Sequence, residues 1–180
     1  MTKRQLTFGN VPVPYVASWS EEEHFFLDIC PHAKGIAICQ AENRGAGKPM
    51  FGKPHMNRQR EAVIFDLCDL CGGALRNRTK VSLSHARPRS HGAAAFDILQ
   101  VEPLLHKECA AISLRHCPSL RRDIRAGSLE VRQVLSHRVQ IALYSEQGTF
   151  EATGVRRKSF SHAKVQLLNW KDRDERWLDR

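Results

Sequence analysis

Two stretches decide how this chain is read: Cys68-Asp69-Leu70-Cys71-Gly72-Gly73 and His106-Lys107-Glu108-Cys109. Two residues between the first cysteines let both thiolates turn toward one ion, and glycines directly behind them free the backbone to fold over it. His106 and Cys109, three apart, project from one side of the first turn of a helix, where the positive end of the dipole favours thiolate over thiol. Turn plus helix start predicts a tetrahedral Cys3His site, the arrangement of treble-clef zinc folds. Thiolate-rich tetrahedral donors select zinc before other metals. Four protein ligands leave no position for water or substrate, so one structural Zn2+ is expected. The alternatives are reduced cysteines packed as small hydrophobes, or Cys117 in place of His106. Cys30 and Cys39, flanking His32, are read as buried thiols or as a second metal site.

Outward from this centre, the pattern predicts a helix from Asn57, with Ala62, Val63, Ile64 and Leu67 on its apolar face, and a strand over Lys80–Ser84. Residues 85–95 read as a basic, exposed loop. Leu105, Cys109, Ile112 and His116 line one face of a helix that Pro118 terminates. Toward the N-terminus, Pro12 and Pro14 among valines suggest an edge strand or arm. Ser20 before three glutamates predicts a short helix over 21–29. Residues 35–39 read as a strand, and residues 43–54, with glycines at 45, 47 and 52, as a loop. From residue 128 onward, alternating apolar residues predict strands with a turn at Glu146-Gln147-Gly148, then a helix over residues 170–178 capped by Asn169. The expected fold is α+β: a small irregular domain around a treble-clef-like zinc site, with a strand-rich C-terminal half. Its segments are residues 1–55 (extended and α+β), 56–127 (zinc-binding core) and 128–180 (strands and a terminal helix), forming one compact unit.

The chain has 180 residues, 42% hydrophobic and 26% charged, an ordinary globular balance. No apolar run reaches the ~18 residues of a membrane span, and the opening MTKRQLTFGN has no signal-peptide core, so a cytoplasmic protein is expected. There the six cysteines are thiols or metal ligands. These features exclude membrane proteins, disulfide scaffolds and coiled coils.

With the zinc residues placed, FGKPHMNRQREAV, LCDLCGGAL, VSLSHA and PLLHKECAAISLRHCPSL together resemble a zinc-binding family of actinobacteria, phages and mobile elements. The matching positions are Phe51, Gly52, His55, Arg58, Gln59, Arg60, Cys68, Cys71, Gly72, Cys109, Cys117, Pro118 and Leu120. The resemblance covers residues 50–122 and departs by placing His106 where that family has cysteine, a swap zinc tolerates. It implies zinc, a phage or mobile-element origin and, with that, the cytoplasm of a bacterial host cell. A weaker similarity is to HNH nucleases, in which His85 of Ser84-His85-Ala86-Arg87-Pro88 would be the base, assisted by His91 or Asp97. Ala110 and Ser84 stand where those enzymes carry histidine and an acidic residue.

The formal net charge is +9 and the isoelectric point is near 9.6. Arginines cluster at Arg58 and Arg60, Arg76 and Arg78, Arg87 and Arg89, and Arg121, Arg122 and Arg125, suited to bidentate phosphate contact. Few aromatic residues argue against a base-stacking platform. Trp170 and Trp177 are a candidate protein contact. The expected function is a non-enzymatic, zinc-stabilised binding protein that engages nucleic acid or a host nucleic-acid-handling complex, with no membrane or small-molecule substrate. The alternative is an HNH-like metal-dependent nuclease.

Overall fold

The computed structural model describes residues 5–91 and 95–180, except for the side chains of Ser90, His91, Ala95 and Phe96. The chain begins with a hairpin of β1 (Leu6–Phe8) and β2 (Val11–Val13), closed by Gly9 in the left-handed region at φ 58°. Next, β3 (Ala17–Trp19) leads into a single 3-10 turn, Ser20–Glu22, and then β4 (Phe25–Cys30) and β5 (Gly35–Gln40) pair antiparallel. β6 (Pro49–Pro54) returns to pair with β3, and α1 (Met56–Ile64) follows. The metal-type turn precedes β7 (Lys80–Ser84), β8 (Arg89–His91), β9 (Ala95–Gln100) and the two-residue β10 (Leu105–His106). Two helices, α2 (Lys107–His116) and α3 (Pro118–Arg125), lead into a 15-residue strand, β11 (Glu130–Tyr144). After α4 (Glu146–Thr153), the equally long β12 (Ser159–Arg173) runs back along it, and a 3-10 turn, Glu175–Asp179, ends the chain.

The main sheet runs β10-β7-β11-β12-β5-β4, with β9 also paired to β12 and β8 to β9. β12 is its spine. One edge of β12 pairs with β11, while its other edge meets β5 at Phe160 and β9 at Val165–Leu167. Between those two partners the backbone of Ala163 is completed by a side chain. The Gln59 amide on α1 accepts the Ala163 N–H at 3.0 Å and donates to its carbonyl at 2.7 Å, standing in for a peptide group. The largest core cluster, with Leu75, Val81, Ile98, Leu105, Leu114, Val131 and Leu167, lies against this sheet and beneath the metal-type turn.

The architecture is mixed α+β with a strand-rich C-terminal half. Several local expectations are corrected. The acidic run makes only the 3-10 turn Ser20–Glu22 and no longer helix: residues 25–30 are β4, and Glu22 is turned inward to meet Arg58. Residues 49–54 form β6 rather than loop. Glu146-Gln147-Gly148 opens α4, capped by the Ser145 hydroxyl, which accepts the Gly148 N–H. β12 continues through Trp170 to Arg173, so the terminal cap is Asp174 rather than Asn169. Pro118 ends α2 and also supplies the first residue of α3, where its missing N–H costs nothing. Arg89–His91 form β8 within the expected loop, and residues 92–94 lie outside the described residues.

Candidate metal centre

The Cys68–Gly73 turn is closed by paired backbone bonds: the Cys68 N–H donates to the Gly73 carbonyl at 2.7 Å and the Gly72 N–H to the Cys68 carbonyl at 2.8 Å. Gly72 sits at φ 67°, where an L side chain would be strained. Gly73 is needed for space, because a Cβ there would lie 3.3 Å from Cys71 Sγ and 3.5 Å from the His106 ring. The other half of the site is positioned by sheet register. β10 pairs with β7 through Leu105–Val81 and His106–Lys80, which fixes where α2 starts. The Asp69 N–H donates to the Leu104 carbonyl at 2.9 Å and ties the turn to that strand.

The ligand-type atoms of Cys68, Cys71, His106 and Cys109 all lie within 4.8 Å of one another, so these four residues can hold a metal ion. His106 occupies the N-cap position of α2, and Cys109 lies in its first turn. The His106 ring has a defined orientation. Its Nδ1 is 3.4 Å from Cys71 Sγ and 3.7 Å from Cys109 Sγ, while Nε2 lies 3.0 Å from the Ala74 carbonyl. Nε2 therefore carries the proton and donates it, leaving the Nδ1 lone pair aimed among the sulfurs. Backbone N–H groups of His106 and Gly73 each lie 3.4 Å from a sulfur, Cys68 and Cys71 respectively.

The electrostatics of the three thiols favour a cation at this centre. Hydrogen bonds from Cys109 and Cys68 hold the Cys71 thiol far below its ordinary range. The same sulfur cluster, with Cys68 and then Cys71 as neighbours, pushes the Cys109 thiol far above it. Three thiolates this close cannot all be ionised unless a positive ion sits between them.

Cys117 lies outside the group, so His106 and not Cys117 completes it. The second metal site considered for Cys30 and Cys39 has a different occupant. The Arg60 guanidinium donates from Nε to Cys30 Sγ at 3.3 Å and from Nη2 to Cys39 Sγ at 3.8 Å, so a side-chain cation already fills the place. Among the described residues no further group of three or more His, Cys, Asp or Glu gathers.

The nuclease residues are otherwise engaged. The exposed His85 has Nδ1 3.0 Å from the Ser128 carbonyl and Nε2 3.7 Å from Asp123. The Asp97 carboxylate accepts from Arg89 at 3.1 Å and from the Gln166 side chain. The His91 side chain lies outside the described residues.

Of the basic candidates, Arg58 and Arg60 are buried and cannot contribute to a surface; the first is fully paired with Glu22, the second with the two sulfurs and the Ser161 carbonyl. Their charge in the sequence suggested solvent, but each neutralises or caps interior groups that the sequence order does not reveal. Arg76, Arg78, Arg87, Arg89, Arg121, Arg122 and Arg125 are exposed. Glu108 pairs with Arg78 at 3.4 Å, Glu130 with Arg87 at 3.5 Å, and Asp97 with Arg89. Trp170 and Trp177 are half-buried against the core, with Lys107 and Arg173 over the Trp177 ring. The carbonyl of Ala74, which orients His106, was not singled out in the sequence; the double glycine before it is the signal that marks it.

Searches against family models, curated proteins and solved structures gave no significant match to this chain.

Proposed function

We propose that the chain is a non-enzymatic binding protein, stabilised by one structural zinc ion, that engages nucleic acid through an arginine-bearing face centred on α3. The zinc reading is supported by the donor set: three sulfurs and one imidazole nitrogen make a closed tetrahedron, with the imidazole's other nitrogen braced by a carbonyl as zinc-bound histidines require. The turn, the antiparallel β7–β10 pair and the helix start come in the order expected of a treble clef, with β8 and β9 inserted between the paired strands. Such an ion contributes its binding energy to folding and has no open position for chemistry.

The observation that carries the binding reading is α3. Arg121, Arg122 and Arg125 are all exposed, no residue of this helix is buried, and among the described residues neither Arg121 nor Arg125 meets an acidic partner. Spaced one turn apart, these two guanidinium groups can contact successive phosphates. The phage or mobile-element setting rests on the resemblance over residues 50–122 alone.

The test is binding of a labelled duplex across a salt series. Affinity should fall steeply with salt and show little sequence preference, and Arg121→Glu with Arg125→Glu should weaken binding and flatten the slope. Negligible binding at low salt would remove nucleic acid as the partner and leave the host-complex reading.

A further inference from the structure

A recess of about 510 Å³ opens between the N-terminal hairpin, the corner joining α2 to α3, and the outer side of the metal-type turn. Its volume is in the range of small-molecule sites, and its floor is apolar, built from Leu83, Leu105 and Ile112. Two carboxylates, Asp69 and Glu102, also line it. Among the described residues, the Asp69 side chain has neither a hydrogen bond nor an ion pair, although it is more than half-buried. Partial burial and the neighbouring Glu102, itself exposed, both oppose a charge on Asp69, and a cation beside the two acids relieves both. The chain carries nine positive charges in excess, yet among the described residues no Lys or Arg lines the recess, whose other titratable neighbour is His116.

From this charge and shape we infer that the recess binds a small organic cation: an apolar, ring-sized body carrying a protonated amine. The body displaces water from the leucine and isoleucine floor, and the ammonium group supplies the donor that Asp69 and Glu102 lack. An extended peptide is a poor occupant. The bordering strand β2 is already paired with β1, and Pro12 and Pro14 remove N–H groups from that wall. The recess borders α3 through Pro118, Ser119 and Leu120, but neither its metal-ligating neighbours nor Arg121, Arg122 and Arg125 line it, so the inference does not rest on the nucleic-acid reading.

The experiment uses the full chain as purified and three probes of one shape: tryptamine, its alcohol analogue tryptophol, and indole-3-acetate. Binding is followed by calorimetry at neutral pH. Tryptamine should bind at least about tenfold more tightly than tryptophol, a margin suited to a charged hydrogen bond, and indole-3-acetate should bind least. Asp69→Asn and Glu102→Gln should each erase part of that margin. Because Asp69 lies inside the metal-type turn, metal content is measured on each variant, and Glu102→Gln carries the test if Asp69→Asn releases metal. Leu120→Trp, which adds bulk to the lining, should abolish binding of all three probes, with retention of the fold checked by circular dichroism. Equal affinity for amine and alcohol, preference for the acid, or no binding of any probe would overturn the inference.

Discussion

Arg58 grips Glu22 through two bonds, Nη1 to Oε1 at 2.7 Å and Nη2 to Oε2 at 2.6 Å, and the Glu22 side chain is completely buried. The same guanidinium donates to the carbonyls of Tyr15 and Ala17, while Glu22 accepts the backbone N–H groups of Trp19 and Asn43. One ion pair therefore joins α1 to the segments on either side of β4 and β5. Fully bonded, it locks the N-terminal third to the helix that reaches the sheet spine.

Removing one partner strands the other in the interior. Glu22→Gln or Arg58→Met should cost about 3–5 kcal/mol of unfolding free energy, measured by urea denaturation, whereas Lys53→Ala, which breaks an exposed pair with Glu23, should cost less than about 1 kcal/mol. Comparable losses would show that the buried pair has no special weight.

Acid should weaken this pair in a definite direction. Burial opposes the charged carboxyl, but the Arg58 guanidinium and the N–H groups of Asn43 and Trp19 outweigh it and hold Glu22 below the usual carboxylate range. A folded-state value below the unfolded one gives stability that is complete above about pH 4.5 and is lost as pH falls through the folded value. The stability gap between wild type and Glu22→Gln should therefore shrink on acidification below pH 4.5. A pH-independent gap would contradict this.

His55 adds a second pH response at milder acidity. Burial first, and then the nearby Arg58 charge, keep its pKa below the ordinary histidine range, so it is neutral despite lying 3.8 Å from Glu22. Its Nε2–H donates to the Ala41 carbonyl at 3.0 Å, and its Nδ1 accepts the Arg58 N–H at the start of α1. Stability should decline as pH drops below about 6.5, where unfolded histidine takes up a proton that the folded chain resists. His55→Asn, which retains a capping oxygen, should lower stability at pH 7.5 yet remove much of the decline between pH 7 and 5.

Space around Cys71 makes a separate test of the metal centre. Gly73→Ala places a methyl group against Cys71 Sγ and the His106 ring. It should speed metal loss to a chelator several-fold while the secondary structure persists at excess metal. His106→Cys should retain the metal, because a fourth thiolate is an accepted ligand, whereas Cys109→Ser should lose it. If all three variants behave alike, the four residues do not act as one site.

How much of this was legible in the sequence follows from how local each signal is. The Cys68–Gly73 turn, β7 and the start of α2 depend on residues next to one another, so their spacing revealed them and their convergence. β5 and α1 were visible for the same reason. β4 was hidden because an acidic run mimics a helix start, and Glu22 owes its place to Arg58, far along the chain. The length of β12 was obscured because its polar end, Lys171–Arg173, pairs with Val131–Gln133, and only that distant partner makes it a strand. Arg60 looked like surface charge because nothing local shows the two sulfurs it faces.

Cys68, Cys71, His106 and Cys109 can hold a metal ion, which we propose is a single zinc. The most direct measurement is metal analysis of protein purified without chelators, combined with X-ray absorption at the zinc edge. The expected result is one zinc per chain, with three sulfurs at about 2.3 Å and one nitrogen at about 2.0–2.1 Å. No stoichiometric metal, or a zinc shell of oxygens and nitrogens without sulfur, would contradict it.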